Sequence, residues 1–161
     1  MHTAILIPLT FAGAMLLEIS RLPAGSLGWL AWCRPEWLCM VTFYWGFQSA
    51  RGLNPVVLWC FGLFVDVLLG QPLGLNGAIL ALIAYVVGLN CERLRMYSMP
   101  QQVAILLIIL LLAETLRSWI LNLAGHSGWS FETYVASFIT VLLWPVFEAL
   151  VKKWHLPRSL G

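Results

Sequence analysis

Asp66 places a carboxyl group in the middle of an oily run, Phe61-Gly62-Leu63-Phe64-Val65-Asp66-Val67-Leu68-Leu69-Gly70. A carboxyl so placed can hold a proton or a cation, or it can anchor another helix by accepting hydrogen bonds from buried donors. No second carboxylate or basic residue lies near it in sequence, which favours the structural use. Glu114 and Arg117 stand three apart in a later oily run, so they share a helix face and their opposite charges can neutralise each other. Glu18 and Arg21 repeat that spacing near headgroup level, and Glu148 precedes Lys152 in the favourable i, i+4 sense. These pairs read as local compensation rather than as a catalytic array.

The usual nucleophiles and metal ligands lack partners in the sequence. Gly125-His126-Ser127-Gly128 matches the GxSG string around the serine of rhomboid-type intramembrane proteases. That chemistry needs a histidine base on another helix within reach of the serine, and the other histidines, His2 and His155, stand near the chain ends. Short Gly- and Ser-rich strings are ordinary turn material, so the protease reading is set aside. Cys33, Cys39, Cys60 and Cys91 show no metal-ligand spacing, and Cys39 and Cys60 sit in apolar segments where a thiol acts as a small hydrophobe. HExxH, a phosphate-cradling GxxxxGK[ST] and Cys/His clusters are all missing. The expectation is a protein without catalytic residues, cofactor or metal.

The elements that must position these residues follow from composition. The 161 residues are 61% hydrophobic and 10% charged, with mean hydropathy +0.87. Soluble domains carry about 45–50% apolar and about 25% charged residues, so most of this surface must face lipid. A net charge of +2 gives no reason to expect nucleic acid. Apolar runs at 3–19, 36–48, 55–69, 73–89, 101–123 and 131–151 predict a compact all-α bundle of about six transmembrane helices in one domain, 1–161. Several runs are short, which leaves four or five spans plus a re-entrant segment as the alternative. The first run has no basic region before it and no cleavage site after it, so it reads as a retained span.

Six spans put Arg51, Arg93, Arg95, Lys152, Lys153 and Arg158 on the side of the termini and only Arg21 and Arg34 opposite. The positive-inside rule then sets both termini in the cytoplasm. Residues 22–34, with Pro23, Gly25, Gly28, Trp29 and Trp32, read as an interfacial loop. Gly74, Gly77, Ala78, Ala81, Ala84 and Gly88 make a stripe of small residues on the fourth run. Another helix can pack closely on it, either inside the bundle or from a partner.

Larger strings resemble a known family. Arg34-Pro35-Glu36-Trp37, Tyr44-Trp45 and the segment from Gly62 through Asp66, Gly70 and Gln71 to Pro72-Leu73-Gly74 resemble the MreD family of bacterial rod shape-determining proteins. Ala81-Leu82-Ile83-Ala84-Tyr85 and Leu143-Trp144-Pro145 are similar to it as well. The resemblance implies a non-enzymatic inner-membrane scaffold of the cell-wall elongation complex that binds MreC. It further implies association with RodA, its penicillin-binding transpeptidase and MreB, and a six-helix fold similar to the substrate-binding subunits of vitamin transporters. A small-molecule-binding transporter subunit is the rival expectation. Carried onto this chain, Arg34, Pro35 and Trp37 would set entry into the second span. Gly62, Asp66, Gly70, Pro72, Leu73 and Gly74 would shape the joint between the third and fourth.

Overall fold

The structure, a computed structural model, describes residues 2–19, 35–49, 53–123, 125 and 131–155. These form seven helices: α1 (His2–Ile19), α2 (Trp37–Gln48), α3 (Pro55–Leu69), α4 (Leu75–Leu89), α5 (Cys91–Met96), α6 (Met99–Leu123) and α7 (Phe131–His155). No strand occurs among the described residues. Each expected apolar run is a helix, and the break marked by Arg93 and Arg95 is itself the short α5.

Local chemistry sets several of the helix ends. Asn54 Oδ1 accepts from Val56 N at 2.9 Å, and Pro55 fills the first helical position of α3, where a missing N–H costs nothing. At the start of α6, Gln101 Oε1 accepts from Ser98 N at 3.0 Å, one half of a capping box. α2 ends against a cation instead. Arg95 donates from Nε to the Phe47 carbonyl and from Nη2 to the carbonyls of Ser49 and Gln48, at 3.0 and 3.3 Å. A positive charge at a helix C-terminus satisfies orphan carbonyls and complements the helix dipole. Replacing Arg95 with Met is therefore expected to cost about 1–2 kcal/mol, read as a lower thermal midpoint in detergent. An unchanged midpoint would mean that water serves those carbonyls equally well.

α2 explains how short apolar runs fit in the bundle. At about 1.5 Å per residue it is about 18 Å long, well below the roughly 30 Å of a hydrocarbon core. Yet every residue from Leu38 to Phe47 is buried. α1, α4, α5 and α7 all pack on it, so it meets protein rather than lipid. Its ring-bearing face forms the centre of the core. Phe43 meets Trp144 edge-to-face at 5.0 Å, and Tyr44 and Phe47 complete the cluster with Phe147 of α7. On the α1 side, Trp45 Nε1 donates to Thr10 Oγ1 at 2.8 Å. α3 packs most extensively on α4, and α6 on α7 and α4.

The outer surface is oily. α6 and the 134–153 part of α7 are long and apolar enough to cross a membrane by length and composition. Only 28% and 33% of their most apolar stretches is buried. The core helix of a soluble protein would be mostly enclosed, whereas here Ile108, Leu112, Trp119, Phe138 and Leu142 all point outward. α3, α4 and the 6–19 part of α1 are shorter apolar helices. Two helices thus meet the length of a span, and α1, α3 and α4 fall short of it.

Candidate functional site

Glu18, Glu36, Asp66, Glu114 and Arg117 converge at one end of the bundle, where α1, α3 and α6 finish and α2, α4 and α7 begin, while Glu148 pairs with Lys152 near the end of α7. Asp66 lies in the last turn of α3 and is fully buried. Its Oδ2 accepts from Gly74 N at 2.8 Å. Its Oδ1 accepts from Asn76 N at 3.0 Å and from Asn76 Nδ2 at 2.8 Å. Gly74, the N-cap of α4, has no side chain to offer, so a carboxylate from the preceding helix caps α4 in its place.

The chain between them is shaped for that purpose. Gly70 ends α3 at φ 65° and Gly74 opens α4 at φ 95°, both in the left-handed region that glycine enters without steric cost. Gln71 N donates back to the Asp66 carbonyl at 3.0 Å. Pro72 fixes one dihedral of the turn. Leu73 is 71% exposed, so it contributes to an outer surface and not to the core. Below the turn, Gly62 and Gly77 let the two helices touch backbone to backbone. A β-carbon on Gly62 would overlap Cα and N of Gly77, and one on Gly77 would lie 2.8 Å from the Trp59 carbonyl oxygen.

Asn76 carries the network onward. Its Oδ1 accepts from Arg117 Nη2 of α6 at 3.0 Å, and Nδ2 also donates to Gln71 Oε1 at 3.2 Å. Arg117 Nη1 stands 3.5 Å from Glu114 Oε1. The expected Glu114–Arg117 pair is present, and through Asn76 it is joined to Asp66 across three helices. A neighbouring contact ties α2 to α7. Glu36 N donates to Thr140 Oγ1 at 2.8 Å, and Ser137 Oγ donates to Glu36 Oε1 at 2.8 Å. Glu18, Glu36, Cys39, Asn76 and Arg117, with Leu38, Ile79 and Leu80, line a cavity with room for about one water. Glu18 thus faces the interior and not only the headgroups.

Sequence reasoning did not find Asn76 or Glu36. Asn76 was a lone amide in an oily run, which is a polar signal of the same kind as Asp66. Glu36 stood at the variable position of the Arg-Pro-x-Trp string. Pro35 and Trp37 flank the start of α2, where Trp37 N donates to the Pro35 carbonyl at 3.0 Å. Arg34 lies outside the described residues, as do the 22–34 loop, His126 and Ser127.

The small-residue stripe divides. Gly77 and Ala84 are buried inside the bundle, whereas Ala78 is exposed and Ala81 and Gly88 are half-buried. A β-carbon added at Gly88 would meet nothing within 4 Å.

A family model described as rod shape-determining protein MreD matches residues 2–154. The chain belongs to the MreD family. It is 26% identical over 146 residues to the rod shape-determining protein MreD of Haemophilus influenzae, covering 89% of this chain and 86% of that relative. No solved structure matches the chain significantly. Membership makes this a membrane protein with a role in determining rod shape. The rival expectation of a small-molecule-binding transporter subunit gains no support from the family match, and the polar cavity described above has room for about one water.

Proposed function

We propose that this MreD-family chain is a non-enzymatic scaffold of the cell-wall elongation complex in the bacterial inner membrane, and that it holds MreC by packing against its transmembrane helix. The observation that carries the reading is the outward half of the α4 stripe. Ala78 is exposed and Ala81 and Gly88 are half-buried on the outer side of α4, beside the exposed Tyr85, and such small residues let a second helix approach closely. Asp66, Asn76, Glu114 and Arg117 are engaged with one another, which leaves helix surface as the working part.

Six spans, α1 to α4 with α6 and α7, place both ends of the chain on one side. Arg93 and Arg95 of α5 and Lys152 and Lys153 at the end of α7 fall on that side, which the positive-inside rule assigns to the cytoplasm. The Asp66 network then lies toward the periplasm. Through MreC the scaffold joins RodA, the penicillin-binding transpeptidase and MreB filaments.

The test is co-purification of MreC with a variant carrying Ala78→Leu and Gly88→Leu. Both positions point outward, so the fold is expected to survive, as checked by elution volume and thermal midpoint. MreC recovery is expected to fall at least about tenfold, the loss of roughly 1.4 kcal/mol of packing. Full recovery on a correctly folded variant would remove this strip as the interface.

A further inference from the structure

α1 rests chiefly on α2 and touches α7 little, which leaves an open seam between α1 and α7. A groove of about 360 Å³ lies in that seam, lined by Leu6, Leu9 and Thr10 of α1 and by Phe147, Leu150 and Val151 of α7. Its one hydroxyl is already committed. Thr10 Oγ1 accepts from Trp45 Nε1 at 2.8 Å and shares its own proton between the carbonyls of Leu6 and Ile7, both at 2.9 Å. The walls therefore offer no polar partner, and only a hydrocarbon occupant enters without losing hydrogen bonds.

One end of the groove is basic. Lys152 and Lys153 follow Val151 directly on α7, and both are exposed. Lys152 is paired with Glu148, whereas Lys153 has no ion pair among the described residues. α1 begins and α7 ends at this level, so the groove opens toward the headgroups. A lysine stem can lie along apolar surface while its ammonium stays at the interface.

We propose that the groove holds an acyl chain of an anionic phospholipid whose phosphate sits on Lys153. The chain completes the seam that α1 and α7 leave open. A zwitterionic phospholipid offers the same hydrocarbon, but its amine brings a second positive charge to the basic end. A partner helix fits less well. In the orientation proposed above this end is cytoplasmic, where the flanks of membrane helices are rich in Lys and Arg and would meet Lys153 with like charge. Anionic headgroups are drawn to basic residues at that surface. The choice of lipid over helix rests on that orientation, whereas its test does not, because a detergent micelle has no sides and MreC is absent.

The experiment is native mass spectrometry of the full chain in detergent, titrated with dioleoyl phosphatidylglycerol or dioleoyl phosphatidylethanolamine. Phosphatidylglycerol is expected to give one saturable adduct, about fivefold tighter than the other lipid, the factor that one lysine near a headgroup supplies. Lys153→Gln is expected to bring the two lipids level. Leu150→Trp fills the groove with an indole and is expected to weaken phosphatidylglycerol at least about tenfold, through lost burial of methylenes. Leu142→Trp, at an outward position of α7 away from the groove, is expected to change nothing. Equal binding of the two lipids by the unsubstituted chain, or a preference that survives Lys153→Gln, overturns the proposal. So does an equal loss in Leu142→Trp, which would mark a general lipid shell. A paired chain that Leu150→Trp separates, with no lipid preference, gives the groove to a second copy and overturns it as well. Should Leu150→Trp fail to fold, thermal midpoints decide. Phosphatidylglycerol must raise that of the unsubstituted chain by at least about 3 °C over phosphatidylethanolamine, and Lys153→Gln must remove the difference.

Discussion

Asp66→Leu is expected to prevent accumulation of a monodisperse protein, the largest effect of any single substitution in this chain. Leucine removes the acceptor of three donors at once: Gly74 N, Asn76 N and Asn76 Nδ2. Each donor then stays buried without a partner, at about 1–3 kcal/mol apiece, so the sum is about 3 kcal/mol or more. Most domains have only about 5–15 kcal/mol in hand. The damage also spreads, because Asn76 is held for Arg117 by the same carboxylate. Asp66→Asn retains one acceptor oxygen, but its amide presents donors to a donor-rich site, so an intermediate midpoint is expected. Yield and elution profile in detergent decide the matter. Wild-type behaviour of both variants would mean that α4 is capped by something other than this carboxylate.

Gly62→Leu is expected to come close behind, through sterics alone. Overpacking usually costs about 1–3 kcal/mol because flexible side chains give way. Here the obstacle is the backbone of Gly77 itself, so α3 and α4 must separate along their whole contact, which is the most extensive in the bundle. Even Gly62→Ala is expected to lower the thermal midpoint by about 5 °C or more. Gly88→Ala on the same helix pair is the matched comparison. Its β-carbon enters open space, and alanine favours a helix over glycine by about 1 kcal/mol, so the midpoint should hold or rise. If Gly62→Ala and Gly88→Ala behave alike, close approach is not what glycine supplies at position 62.

Both effects trace to one short segment, and its parts were unequally visible beforehand. The Gly62 to Gly74 string stood out as a pattern, and its glycines and proline announced a turn between two helices. That Asp66 points forward to cap the next helix could not be read from spacing. The cap requires Gly70 and Gly74 to take left-handed conformations in succession, and that choice is made by packing. The expectation weighed a structural Asp66 against a proton or cation site, and in the structure its carboxylate accepts from three donors. The reason offered, the lack of any charged neighbour in sequence, did not anticipate Arg117 two helices away.

The amino-acid sequence by itself determined what could be settled by composition and short range. Few charges and long oily runs dictate helices with apolar outer surfaces, and the i, i+3 and i, i+4 pairs at Glu114–Arg117 and Glu148–Lys152 follow from helical pitch, and both are present. Tertiary structure alone decided which polar groups meet. Asp66 and Arg117 are joined only because Asn76 lies between them. Glu36 reaches Ser137 across 101 residues. The stripe on α4 is divided between interior and exterior by where α2 and α3 happen to lie. Hydrophobic pattern reports that a face is buried, but it is nondirectional, so it does not say against what. Hydrogen bonds are directional and exist only once the helices have been set beside one another.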